Sequence, residues 1–323
     1  MRGLQPPPKT DTPSRAVARI LVLLLLVVAA GTVIYTAVTN QNIPLVEDVR
    51  TDGLDLASPS EVDGLTVNVV EEPGDGVPVV FLHDVDVTGS LPLVPLVEDL
   101  PDGYRGVRVD MPGFGYSDRI PFDSPIHTAA GMGETMAAMI DERFDEPVIL
   151  VGVGFGGEVA AEVALARPEK VTGLVLVDVD FEDGASWVEL LESLPWVGRA
   201  ATYTWATGGR FSLDAWSPHC EEGGWCPTPE QGAERGFIAS IAGSTESLHS
   251  FVRRPAAALA PTNLDDITMP VGYVWSTDGE VPEESVDLLR DGLAGLTVFE
   301  SATYQAHLED FDTVNQAITA VAG

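Results

Sequence analysis

Apolar runs that alternate with amphipathic, helix-like segments constrain the fold of this chain most strongly. The runs VPVVFLH (77–83), PVILVG (147–152) and VTGLVLVDVD (171–180) are short and rich in β-branched residues, so they predict strands buried on both faces. Further strands are predicted at GLTVNVV (64–70), GVRVD (106–110), PVGYVWSTD (270–278) and LTVFES (296–301). Strands that alternate with helices predict the α/β class, with a mostly parallel sheet flanked by helices.

The alternation stops between residues 184 and 261. Tryptophans, glycines and both cysteines cluster there without strand periodicity, which predicts a helical cap, or lid, inserted into the sheet domain. The core is then expected at 61–183 and 262–323. Residues 39–60 are polar and rich in turn formers, and they predict a linker.

The apolar run Ile20–Val38 contains 19 uncharged residues, about the length that crosses a bilayer as a helix. Arg2, Lys9, Arg15 and Arg19 precede it, so the positive-inside rule places residues 1–19 in the cytoplasm. A cleaved signal peptide and a buried core helix are the alternatives, but no small-x-small cleavage site follows the run. The sequence predicts a single-pass, uncleaved signal anchor in the cell membrane, with an extracytoplasmic C-terminal domain.

Charge and cysteine content agree with export. After the apolar run the chain keeps 49 of its 50 acidic and 13 of its 17 basic residues, a formal charge of −36. Such a field repels nucleic acid. Cys220 and Cys226, the only cysteines, lie six apart in HCEEGGWC and predict a disulfide in an oxidising compartment. Unpaired thiols and a metal site, with only His219 beside them, are weaker alternatives.

The segment LVGVGFGGEVA (150–160) predicts a strand, a sharp turn and a helix. In a nucleophile elbow, G-x-S-x-G, the middle residue is the nucleophile, and Gly154 stands at that place. Gly152, Gly154 and Gly157 also fit G-x-G-x-x-G, and Asp178 follows at the distance expected of a ribose-binding acid. The dinucleotide interpretation is weakened because at least three strands precede this one.

Motifs in the surrounding loops resemble the α/β-hydrolase superfamily, in particular the lipases, esterases and epoxide hydrolases that carry a cap. The most specific match is RVDMPGFGYSDR (108–119), similar to that family's D-x-P-G-x-G-x-S loop. The other landmarks follow the family's order over roughly residues 60–320, at VVFLHD, ARPEKVTGLVLVD, DGEVP (278–282) and HLEDFDTVNQAI (307–318). The resemblance implies an α/β-hydrolase fold with an inserted cap.

The catalytic triad that this resemblance implies is degenerate. Gly154 occupies the nucleophile position, Tyr304 the histidine position, and only the acid, Asp278, matches the family. Glycine supplies no nucleophile, and a tyrosine with a pKa near 10 is a poor base at neutral pH. Elbow residues sit at a strained positive φ, which glycine adopts freely, so Gly154 is the relaxed choice once catalysis is absent.

Several residues remain candidates for a binding site at this turn. The backbone N–H groups of Phe155 and Val85 are predicted to be oxyanion-like donors, open to a carbonyl or water. Ser117 is expected to brace its loop rather than act as a nucleophile. His307 is expected to begin the closing helix with its ring at the surface. The pocket candidates are His83, Asp84, Glu158 and His307; no metal and no cofactor are predicted.

The sequence therefore predicts a membrane-anchored, extracytoplasmic pseudoenzyme that binds a small apolar ligand or a partner protein. The alternative is an active hydrolase, acting on an ester or related bond through non-standard residues such as Asp84. Dinucleotide binding through the glycine turn ranks third.

Overall fold

The computed structural model describes most of the chain in two compact units, residues 1–43 and 44–323. The described residues are 17, 19–20, 22–23, 25–31, 44–50, 58–121, 124–180, 220, 225–253, 264–293 and 295–323. In the first unit they are helical, and their large apolar side chains are exposed. Nowhere in the described part of the chain does a helix combine the length and apolar content that crossing a bilayer requires. Much of the predicted anchor, including 32–38, lies outside the described residues.

One sheet forms the centre of the second unit. Its strands in the described ranges lie in the order β1-β2-β4-β3-β5-β6-β7-β8. From β4 onward in this order, each strand runs parallel to its neighbour. The strands are β1 (Ser60–Val62), β2 (Leu65–Glu71), β3 (Val77–Leu82), β4 (Tyr104–Asp110), β5 (Val148–Val153), β6 (Val171–Val177), β7 (Val271–Ser276) and β8 (Thr297–Ser301). The seven predicted strands are present, and β1 is an addition at the antiparallel edge.

Helices cover both faces of this sheet. Alternate residues of β3 explain why: Val80 and Leu82 pack in one apolar cluster, Val79 and Phe81 in the other. The described helices are α1 (Val46–Arg50), α2 (Val94–Glu98), α3 (Ala129–Arg143), α4 (Phe155–Ala166), α5 (Pro229–Ser240), α6 (Ser244–Arg253), α7 (Glu283–Gly292), α8 (Ala306–Glu309) and α9 (Phe311–Val321). Helices α3 and α4 belong to the first cluster, α2 and α9 to the second.

The predicted linker is partly structured. Val46 of α1 is buried against Ile238 and Ile241, and the carbonyl of Pro44 accepts a 3.1 Å hydrogen bond from the N–H of Ala242. Within the predicted linker 39–60, residues 46–50 are therefore helical and this segment packs against residues 238–242. Residues 39–43 and 51–57 lie outside the described residues.

Helices α5 and α6 lie within the predicted cap, and two arginine side chains connect them to the core. The guanidinium of Arg235, on α5, donates a 2.7 Å hydrogen bond to Oδ1 of Asp86, in the loop after β3. Arg119, in the loop after β4, donates to Oγ of Ser244 at 2.8 Å. The cap segments 184–219, 221–224 and 254–261 lie outside the described residues.

Replacing Arg235 with Met should lower the free energy of unfolding by about 3–5 kcal/mol, because the Asp86 carboxylate would lose its countercharge. The two side chains are only 2% and 15% exposed. Urea titration followed by tryptophan fluorescence measures the change, and Arg235→Met/Asp86→Asn should recover part of it. The matched control is Arg290→Met, which removes an exposed pair with Asp287 and should cost under about 1 kcal/mol. Equal losses of unfolding free energy in Arg235→Met and Arg290→Met would contradict a stabilising role for the buried Arg235–Asp86 ion pair.

Candidate functional site

The turn between β5 and α4 has the backbone of a nucleophile elbow. Gly154 lies at φ 51° and ψ −123°, between the last residue of β5 and the first of α4. Gly156, on the first turn of α4, is needed for packing, since an added Cβ would lie 2.5 Å from the carbonyl oxygen of His83. The glycines thus let strand and helix approach closely, and they leave the elbow without a side chain at its tip.

The carboxylate of Asp84 fills the space beside this tip. Its Oδ1 accepts hydrogen bonds from the N–H of Phe155 at 2.9 Å and from the N–H of Val85 at 2.7 Å. A Cβ at position 154 would lie 2.5 Å from the same oxygen. The two predicted oxyanion-like donors therefore converge on one point. The expectation that they are open to a ligand carbonyl or water is wrong, because a side chain of the protein occupies that point.

The imidazole of His83 fixes the backbone that carries Asp84. The N–H of Met111 donates to His83 Nε2 at 3.0 Å, so the ring proton is on Nδ1, which lies 2.6 Å from the carbonyl oxygen of Asp84. Burial lowers the pKa of His83 and keeps the ring neutral, although Asp110 and the Asp84 carbonyl act in the opposite direction. His83 is thus a structural support for the neighbouring carboxylate.

Asp84 faces a cavity of about 170 Å³. Solvent reaches the side chain, but protein surrounds it, and this desolvation raises its pKa above the ordinary range of an aspartate. The hydrogen bonds from Phe155 and Val85 oppose the shift. The cavity is lined by His83, Asp84, Val85, Asp86, Gly89, Pro92, Leu93, Val153, Gln305, His307 and Leu308.

His307 lines the same cavity, rather than lying with its ring at the surface as the sequence analysis expects. It belongs to the short helix α8, which precedes the closing helix α9 and turns the ring inward. Nδ1 of His307 is buried and has no hydrogen-bond partner among the described residues. Desolvation lowers the pKa of this ring to about 4, so it is neutral at pH 7.

Tyr304 and Asp278 do not line the cavity. The hydroxyl of Tyr304 donates a 2.6 Å hydrogen bond to Oε1 of Glu280, and burial together with that carboxylate raises the pKa of Tyr304. Asp278 is exposed in the turn after β7. Glu158 is buried on α4 and is also outside the cavity lining. The positions matched to the triad therefore do not assemble into a nucleophile–base–acid chain.

Asp178 is a site residue whose role sequence reasoning missed. It follows β6 at φ 50°, and its carboxylate accepts 2.7 Å hydrogen bonds from the N–H and the Oγ of Ser276. Burial, with a repulsive contribution from Asp84, raises its pKa to about 6. Its only sequence signal is its position at a strand end, which the sequence analysis assigned to a ribose contact.

Three further residues of the sequence analysis, Ser117, Cys220 and Cys226, stabilise the fold. Ser117 is fully buried and its Oγ accepts from the N–H of Asn68 at 2.7 Å, as a loop brace would. Cys220 and Cys226 form a disulfide, as predicted. No cluster of three or more His, Cys, Asp or Glu side chains suited to a metal ion occurs within the described residues.

Comparison with known proteins identifies the fold. A family model of the alpha/beta hydrolase fold matches residues 87–202. Among solved structures, an esterase from Thermogutta terrifontis has a TM-score of 0.61 at 19% identity, over 82% of this chain and 97% of its own. A bacterial membrane phospholipase A has a TM-score of 0.63 at 22% identity, over 95% and 97%. This chain is an α/β-hydrolase-fold protein, which confirms the resemblance carried by its loop motifs.

Curated relatives match a shorter part of the chain. The chain is 36% identical over 108 residues to the pimeloyl-[acyl-carrier protein] methyl ester esterase of Shewanella woodyi, which is 33% of this chain and 38% of the relative. It is 36% identical over 117 residues to lipase LipV of Mycobacterium tuberculosis, 33% of this chain and 43% of the relative. The chain thus spans about two fifths of the length of these relatives.

The raised pKa of Asp178 should give stability a measurable pH dependence. Because the pKa lies near 3.8 when unshifted and at about 6 in the folded chain, folding binds a proton. The contribution of Asp178 is therefore complete below pH 4 and is lost as the pH rises through 6, by at most about 3 kcal/mol. Urea unfolding of the protein and of Asp178→Asn between pH 4 and 7 isolates this slope. Parallel stability profiles for the two proteins would contradict the assignment.

Proposed function

We propose that this protein is a non-catalytic α/β-hydrolase-fold protein that binds a small ligand in the cavity beside the former elbow. The observation that carries the proposal is the pair of hydrogen bonds from Val85 and Phe155 to Asp84 Oδ1. In acyl transfer these two donors would stabilise the negative oxygen of a tetrahedral intermediate, and loss of one such donor typically costs about 10²–10³ in rate. Here both are already engaged by an oxygen of the protein.

Electrostatics adds to this steric argument. An intermediate oxyanion would have to form beside the Asp84 carboxylate, where like charges repel. The elbow residue, Gly154, has no nucleophilic atom, and Tyr304 is held by Glu280 away from the cavity. Three groups would have to change before the family's chemistry could operate.

The second candidate is a hydrolase in which Asp84 acts as a general base. The observation in its favour is a solvent-accessible carboxylate whose pKa is raised by its surroundings, in one cavity with a neutral histidine. Against it, backbone N–H groups are the only groups of the described residues that hydrogen-bond this carboxylate. No described side chain orients Asp84 toward a bound water or substrate.

Dinucleotide binding is disfavoured by the same carboxylate. A pyrophosphate would need the N-terminus of α4, and the N–H of its first residue already donates to Asp84. Two anions would then compete for one group of donors.

The non-catalytic function predicts that esterase activity requires three substitutions together. Asp84→Gly frees the two donors, Gly154→Ser adds a hydroxyl, and Tyr304→His adds a base. Gly154→Ser alone should be inactive and less stable by about 1–3 kcal/mol, because serine at positive φ is strained and its Cβ meets Asp84. Hydrolysis of p-nitrophenyl acetate should rise above background only in the triple variant.

The matched control for the triple variant is Asp84→Gly/Gly154→Ala/Tyr304→His, which has the same backbone and base without the hydroxyl. Circular dichroism establishes that each variant is folded. Turnover of the ester by the unmodified protein, abolished in Asp84→Asn, would refute the non-catalytic proposal and support the second candidate.

We also propose that residues 20–38 anchor the protein in the cell membrane, with the larger unit outside the cytoplasm. The apolar run, its basic flank, the exposed apolar side chains of its described helical positions and the disulfide support this placement.

Export predicts that the full-length chain sediments with membranes and that protease added to intact cells digests residues 44–323. Cys220 and Cys226 should react with maleimide only after reduction. Recovery of the intact chain from the cytosol with both thiols reactive would contradict the proposed location.

A further inference from the structure

We infer that the cavity beside Gly154 selects a small organic monocation, a primary ammonium carried on a short apolar or aromatic body, with the Asp84 carboxylate as its anchor. This inference rests on the proposed binding function and specifies the ligand class of the same site.

Within the described lining of the cavity, one negative charge has no countercharge. The carboxylates of that described lining belong to Asp84 and Asp86, and Arg235 neutralises Asp86 through its buried ion pair. The two histidines, His83 and His307, are neutral because burial lowers the pKa of each. A ligand with a single positive charge therefore balances the charge of the described lining, whereas an anion would add to the repulsion.

The hydrogen-bonding capacity of Asp84 points to a donor on the ligand. Oδ1 already accepts two backbone N–H groups, whereas Oδ2 accepts none from the described residues. Solvent reaches this side chain from the cavity. Ionised acceptors form charge-assisted hydrogen bonds of roughly twice the ordinary strength, so an ammonium gains more here than a hydroxyl does.

His307 supplies a second polar contact. Its Nδ1 is buried and lacks a partner among the described residues, so a molecule in the cavity does not reach that atom. Nε2 is the ring nitrogen left for a ligand, and on a neutral imidazole it can accept a second N–H of the same ammonium. The carboxylate and the ring thus favour a ligand with more than one N–H.

The remaining lining sets the size and polarity of the ligand. Val153, Leu93 and Leu308 provide apolar walls. A volume of about 170 Å³ is small for a ligand pocket, and cavities of about 150 Å³ are known to hold benzene. A benzene ring with one short ammonium arm therefore fits, and benzylammonium is the probe of choice.

The test compares benzylammonium with its neutral analogue benzyl alcohol and with benzoate, by isothermal titration calorimetry on the full-length chain in 0.15 M salt. Circular dichroism checks that the protein and each variant are folded. Salt at this concentration limits attraction by the distant acidic surface, since the Debye length falls to about 8 Å. We expect saturable binding of benzylammonium, about 10- to 100-fold tighter than that of benzyl alcohol, and none of benzoate.

Variants distinguish the contribution of the Asp84 carboxylate to cation binding from that of the protein's overall negative charge. Asp84→Asn keeps the shape and one acceptor oxygen, and it should abolish the preference for the cation. Asp145→Asn removes the same charge from an exposed site outside the cavity lining and should leave the preference intact. His307→Leu should weaken benzylammonium binding several-fold and benzyl alcohol binding less.

Equal affinities for benzylammonium and benzyl alcohol, absence of saturable binding, or equal losses in Asp84→Asn and Asp145→Asn would each overturn the ligand class. A parallel p-nitrophenyl acetate assay keeps the two proposals distinct. If that assay shows no turnover while benzylammonium fails to bind, the cation selectivity is refuted and the non-catalytic proposal stands.

Discussion

Two backbone N–H groups that share one carboxylate oxygen organise the site of this protein. Val85 and Asp84 lie in the loop after β3 and Phe155 begins α4, so the hydrogen bond from Phe155 to Asp84 Oδ1 joins this loop to the helix. In an active hydrolase these donors wait for the charge that develops in the transition state. In this protein the carboxyl group of Asp84 occupies that position, and Gly154 leaves room for it.

The surrounding electrostatics follow from this placement. Burial, with an added repulsion from Asp84, raises the pKa of Asp178, and Asp86 remains ionised because Arg235 of α5 pairs with it. Burial raises the pKa of Asp86, but the ion pair and the hydrogen bonds to Thr88 outweigh that effect and lower it. Helix α5 is thus tied to the same loop that carries the Asp84 carboxylate.

The sequence predicted the sheet better than the site. A buried strand such as β5 is an unbroken apolar run, which the sequence predicts directly. Strand β1 has only three residues, too few to show the alternation that identifies a strand. Glycine at position 154 and tyrosine at 304 depart from the family's triad, and the non-catalytic proposal began from these two positions. The direction of the Asp84 side chain could not be predicted, because it depends on free space that Gly154 creates 70 residues away. The Arg235–Asp86 pair joins residues 149 apart, and no local pattern indicates such a contact.

The most direct test of this account is a pH titration followed by nuclear magnetic resonance on residues 44–323. The side-chain carboxyl carbon of Asp84 and the amide protons of Phe155 and Val85 should shift together, with one apparent pKa above the ordinary range of an aspartate. The amide shifts should lose this transition in Asp84→Asn. If the two amides do not respond when Asp84 titrates, its carboxylate is not in the oxyanion hole, and the structural basis of the non-catalytic proposal fails.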